Sequence, residues 1–100
     1  MRTYYVSFVI RDDPTYTDRY NTLIKSLQDL SPGRWWAETT SFIIFESDLG
    51  TDAIVAVIED AINVAKDIAI LGATDFKVMK VIGASKDADI YKLVDFAKKA

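Results

Sequence analysis

The sequence predicts an α+β fold in the order β-α-β-β-α-β followed by one more helix. Three observations carry that prediction. Four short segments, Tyr4–Ile10, Trp35–Ala37, Phe42–Phe45 and Phe76–Ile82, are rich in aromatic and β-branched residues, as strands are. Between them, apolar residues recur at helical spacing. The few glycines and prolines fall where elements should end.

Tyr4 to Ile10 is the first strand, and Arg11-Asp12-Asp13-Pro14 breaks it. Thr15, with Asp18 three residues on, has the pattern of a capping box in which Asp replaces Glu. Tyr16, Tyr20, Leu23, Leu27 and Leu30 form the apolar stripe of the first helix, which Ser31-Pro32-Gly33 stops. Trp35–Ala37 and Phe42–Phe45 flank four polar residues, Glu38-Thr39-Thr40-Ser41, which suits a hairpin. Ser47-Asp48-Leu49-Gly50-Thr51 leads into a second helix with Ile54, Val57, Ile58, Ala61, Ile62 and Ala65 on one side. Its end is ambiguous. Either the helix continues to Leu71 with Gly72 as its cap, or Ile68–Leu71 is a separate extended piece; an end near Ala65 or Lys66 is expected. Phe76 to Ile82 is the fourth strand, closed by Gly83. Asp87 to Lys99 is expected to be a final amphipathic helix carrying Ile90, Leu93, Val94 and Ala97 on one stripe.

This order is the split-βαβ, ferredoxin-like arrangement. It implies one four-stranded antiparallel sheet with two helices on one face. Residues 1–83 form the expected core, and residues 84–100 a C-terminal helix packed on that core or on a dimer partner.

Neighbouring residues of a strand face opposite sides of a sheet. Trp35 and Trp36 therefore point apart, as do Phe42 and Ile43, and Ile44 and Phe45. A sheet whose second face met water would alternate apolar with polar. Here both faces carry large apolar groups, so something must cover the second one. A second copy of the chain, helped by the last helix, is the expected cover. Trp35, Trp36, Phe42, Ile43, Ile44, Phe45, Ile90, Leu93 and Val94 are the candidate interface residues of that homodimer.

One hundred residues make one domain. The chain has no run long and apolar enough to span a membrane and no secretory-signal pattern at Met1-Arg2-Thr3-Tyr4-Tyr5, so no membrane association and a cytoplasmic location are expected. It contains neither cysteine nor histidine. That excludes disulfides, thiol nucleophiles, serine-histidine systems and the usual zinc sites. The net charge is −3 with both signs interspersed. Nucleic acid is not an expected partner, because no basic stripe is present.

"YYVSFVI", "DRYNTLIKSL", "RWWAETTSFIIFESD" and "DFKVMKVIG" resemble the first strand, first helix, tryptophan-containing hairpin and last strand of the small SinR-like proteins. That group is related to the CRISPR-associated adaptation nuclease-like subunits and to the VapD-type toxins. The resemblance covers roughly residues 4 to 83 and implies fold more than activity. Nuclease members of the group carry a metal-holding Asp at the end of the first strand, after an aromatic residue. In this chain Val9 follows Phe8, and valine offers no oxygen to Mg²⁺. Asp12 and Asp13 lie a few residues on, and Asp13 before Pro14 reads as a turn or helix-start residue.

The remaining candidates have plainer readings. The Phe42–Phe45 run lacks the Gly and basic residue of an RNA-recognition strand. The tryptophans suit core and interface packing, with a small-molecule pocket as the alternative. Tyr4, Tyr5, Tyr16 and Tyr20 read as packing with hydroxyls reaching polar partners. Lys77 and Lys80 read as edge protection. No catalytic residue, cofactor or metal site is assigned. The function expected is a small homodimeric interaction or regulatory module. A metal-dependent, nuclease-like phosphodiesterase and a small-ligand sensor with a pocket at the dimer interface are the alternatives.

Overall fold

The strand β1 (Arg2–Val9) is the centre of the molecule, and everything else is arranged around it. The computed structural model describes all residues from Met1 to Ala100. On one side β1 pairs antiparallel with β3 (Phe42–Ser47), and on the other with β4 (Ile68–Ala73). β3 carries the short outer strand β2 (Trp35–Trp36), and β4 carries β5 (Met79–Gly83). A last strand, β6 (Ala97–Lys99), pairs parallel with β5. The sheet is therefore six-stranded and mixed, in the order β2-β3-β1-β4-β5-β6.

The helices α1 (Tyr16–Asp29) and α2 (Thr51–Ala61) pack together and cover one face. Under them lie Tyr4, Val6 and Phe8 of β1, Ile43 and Phe45 of β3, and Ala69 and Leu71 of β4, all buried in one cluster. Leu23 and Leu27 come down from α1, and Ile54 and Ile58 from α2. Tyr16, Tyr20, Ile24 and Leu30 pack around its margin. Burying each of these larger side chains contributes roughly 1.5 to 3 kcal/mol before entropy is subtracted.

The four-stranded antiparallel sheet expected from the sequence is overturned in its second half. Ile68–Ala73 is the strand that takes the place beside β1. It carries apolar residues on both faces of the sheet, so its sequence is a nearly continuous apolar run with no period that separates strand from helix. α2 stops at Ala61, and Ile62 is already extended. The strand expected at Phe76–Ile82 begins only at Met79 and sits one position farther out. Phe76 is instead exposed in the turn, with the Arg2 guanidinium 4.3 Å from its ring centre.

The C-terminal helix is also overturned. Only Ile90–Leu93, the single turn α3, is helical, and Val94 is extended. Ala97–Lys99 adds to the edge of β5. A short isolated helix is marginal in water, whereas β5 without a neighbour would leave a row of backbone groups unpaired. The ladder wins. Lys80 consequently does not guard an edge: it pairs in register with Lys98.

The capping box is absent as well. Thr15 precedes α1 but makes no side-chain bond to the helix backbone. Its hydroxyl donates to Asp13 Oδ1 over 2.9 Å and accepts from Arg19 Nη1.

Candidate functional site

The face of the sheet away from the helices is built by strict alternation. Tyr4, Val6 and Phe8 point under the helices, so Tyr5, Ser7 and Val9 point away. Register then carries the same sidedness across the sheet. Ile44 and Phe42 of β3 lie opposite Tyr5 and Ser7. Gly72, Ile70 and Ile68 of β4 lie opposite Tyr5, Ser7 and Val9. Trp36 lies opposite Ile44.

Aromatic rings occupy this face near its β3 end. Tyr5 stacks on Phe42 at 6.3 Å, and Trp36 meets Phe42 edge-on at 6.3 Å. The Tyr5 ring lies so close over Gly72 that a β-carbon there would collide with it; only glycine leaves the space. Trp36 is 41% exposed and Val9 36% exposed, and Phe42, Ile44, Ile68 and Ile70 are half-buried. Farther along, Val81 is almost fully buried. The uncovered apolar surface thus runs from β2 to β4.

The expected interface residues divide between the two faces. Trp36, Phe42 and Ile44 share the open face. Ile43 and Phe45 are buried beneath the helices. Trp35 lies in register with Phe45 at the sheet margin, 49% exposed. The tryptophans are therefore not core residues. With Thr3, Arg34, Ile44, Phe45 and Glu46 they line a shallow hollow of about 440 Å³. Its floor is stiffened by Glu46, which accepts the Arg34 N–H at 2.8 Å. That backbone bond is the main reason the Glu46 carboxyl is held below its ordinary pKa. Ile90 and Val94 are half-buried in the C-terminal connection, and Leu93 is 81% exposed, so these three form no docked stripe.

A polar network, missed in the sequence, closes one end of the helix-covered layer. Asp67 is fully buried just before β4. It accepts the backbone N–H of Arg11 at 2.9 Å and of Asn63 at 2.8 Å. Arg19, from the first turn of α1, adds Nε at 3.0 Å and Nη2 at 3.3 Å. Burial pushes the Asp67 pKa up, but the two backbone donors and the guanidinium together outweigh it and hold the carboxyl below its ordinary value. Arg19 Nη2 also donates to the Arg11 carbonyl at 2.9 Å, and Nη1 to Asp13 at 2.8 Å. Lys66 completes the set as a second partner of Asp13.

Asp13 is thus engaged by two cations and by the Thr15 N–H at 2.7 Å, which is the turn role read from its place before Pro14. Asp12 is exposed, and no three acidic side chains converge. The network left little local signal, because Asp67 and Arg19 are 48 residues apart. The one clue was a lone acid heading the apolar run Ile68–Leu71.

No protein-family model, curated protein or solved structure gives a significant match to the chain. No helix is long and apolar enough to cross a membrane.

Proposed function

We propose that the protein is a non-catalytic self-association module, a small homodimeric interaction or regulatory unit whose interface is the open sheet face. One observation supports the reading above the rest: Tyr5, Val9, Trp36, Phe42, Ile44, Ile68 and Ile70 form a partly exposed, mainly apolar surface around Ser7 on one side of one sheet. Monomers rarely expose patches larger than a few hundred Å². The C-terminal segment, the one piece of this chain expected to help cover the face, ends as an edge strand on β5 and leaves the stretch from β2 to β4 open. A second copy fits the rim as well as the centre. The rim carries both signs, Arg34 and Glu46, so two copies meet without a one-sign field between them, and a two-fold contact uses the same patch twice. Aromatic residues are enriched at such contacts. Kinship with the SinR-like proteins belongs to the same proposal.

Sedimentation velocity at micromolar concentration is the test. The wild-type chain is expected to run as a dimer, and Ile44→Asp as a folded monomer. A wild-type chain that stays monomeric overturns the reading.

A further inference from the structure

The geometry points to a second site, at the end of β4 away from the tryptophans and bordering the open face at Ile68: a cationic pocket that takes a small phosphate-bearing anion. It is a hollow of about 360 Å³ lined by Arg11, Ala65, Lys66, Ile68, Ala84 and Lys86. Half of these residues are cationic and none is acidic. That is unusual on a chain whose net charge is −3. The volume lies at the small end of the range for small-molecule sites, about 300–1,000 Å³.

The backbone of the walls is held by the Asp67 network, so the segments that carry the charges are fixed relative to one another. The Arg11 N–H is bound to Asp67 Oδ1, and the Arg11 carbonyl to Arg19. The Lys66 N–H is bound to the Asn63 carbonyl at 3.0 Å, and its ammonium to Asp13. The Ala84 N–H is bound to the Asp67 carbonyl at 2.8 Å. Gly83 permits that closeness: its φ is 92°, and a β-carbon there would overlap the Asp67 carbonyl oxygen. Three separate segments are thereby fixed around one hollow, which lowers the ordering cost of binding.

Arg11 and Lys86 make no ion pair and no side-chain hydrogen bond within the chain. Lys66 has two ammonium hydrogens beyond the one facing Asp13. A guanidinium fork beside two ammonium groups matches a phosphate, which offers several strong acceptors and more than one charge. Asp13 already answers the Lys66 charge, and a single carboxylate would answer only one of the two charges that remain. Nucleic acid is a poorer fit, because the cations gather in one hollow and form no track along a backbone.

The experiment is a titration of the ¹⁵N-labelled full chain with pyrophosphate, followed by amide chemical shifts. Saturable shifts are expected at Arg11, Ala65, Lys66, Ile68, Ala84 and Lys86. The double variant Arg11→Gln/Lys86→Gln is expected to weaken binding by at least about tenfold, the loss of one good charge-assisted bond. A control, Lys98→Gln/Lys99→Gln, removes equal charge elsewhere and is expected to leave binding unchanged. Absence of saturable shifts at millimolar pyrophosphate overturns the proposal, and because it is read on the wild-type chain it does not depend on a variant folding. Equal weakening in both double variants reduces the effect to net charge and also overturns it. So does a single-stranded oligonucleotide that perturbs the same amides at lower concentration than pyrophosphate, since the site would then serve a polymer.

Discussion

The two faces of this sheet are made by the same strands, residue by residue in alternation, yet they have different characters. The covered face mixes aliphatic and aromatic groups, Tyr4 stacked on Phe45 among them, and is buried under the helices and closed at one end by the ion network around Asp67. The open face is aromatic at its β3 end, half-exposed, and free of ion pairs except at its rim. Apolar content alone therefore does not say what a face is for. Helices of this chain bury the first set, so those residues act on folding. Nothing in the chain buries the second set from β2 to β4, so its free energy is available to association.

Substitutions should separate these roles, and the strongest response belongs to the covered side. Arg19→Leu leaves Asp67 and Asp13 without their guanidinium, and Asp67 has no route to water. Loss of about 3–5 kcal/mol is expected, the usual cost of stranding one partner of a buried pair. Urea denaturation at neutral pH measures it. A loss below about 1 kcal/mol would show that the backbone donors alone satisfy Asp67.

Leu27→Ala, in the same layer, opens a cavity where the wild-type side chain has no exposure. A loss of about 2–5 kcal/mol is expected, with the association constant unchanged once the variant is folded. Ile44→Asp, on the other face, should do the reverse: the stability of the monomer fold barely moves and the proposed self-association is lost. If both substitutions moved stability and association together, the two faces would not be separable.

Acid should act through the covered side too. The Asp67 pKa is lowered in the folded state, so its contribution is fully present above the unfolded aspartate value, about 3.9. It fades as the pH falls through the lower folded value. Stability should therefore hold from neutral pH down to about pH 5 and fall below about 4. Asp67→Asn is expected to start less stable and to show a shallower acid decline. A variant with the wild-type decline would assign the acid sensitivity to other carboxylates.

The weakest response concerns the outer edge. Lys80 and Lys98 are paired in register across β5 and β6, and like charges side by side weaken a ladder. Lys98→Glu converts the pair to opposite sign. A gain of roughly 0.2–1 kcal/mol is expected, seen as slower exchange of the Ala100 amide, which donates to the Val81 carbonyl. No change in that exchange would mean that solvent screens the pair completely.

The legibility of this chain follows the range of the interactions involved. β1, both long helices, the hairpin and the two-faced character of its strands were readable from local residues. Each is a short-range pattern: alternation in Tyr4–Ile10, helical spacing from Tyr16 to Leu30, and doubled apolar residues at Trp35-Trp36 and Phe42–Phe45. The place of Asp13 in a turn was legible for the same reason, since Pro14 follows it directly. Contacts between distant segments settled the rest. Ile68–Ala73 became a strand because β1 and β5 were there to pair with it, and a strand with apolar residues on both faces loses the alternation that would announce it. Residues 97–99 left their helical stripe because the open edge of β5 offered backbone partners that an isolated helix end cannot match. Asp67 found Arg19, and Gly83 found the Asp67 carbonyl, only after the chain had folded back on itself. A periodic pattern reports which side of an element avoids water. It carries no information on which distant segment will provide the cover, and that choice depends on contacts between residues far apart in the chain.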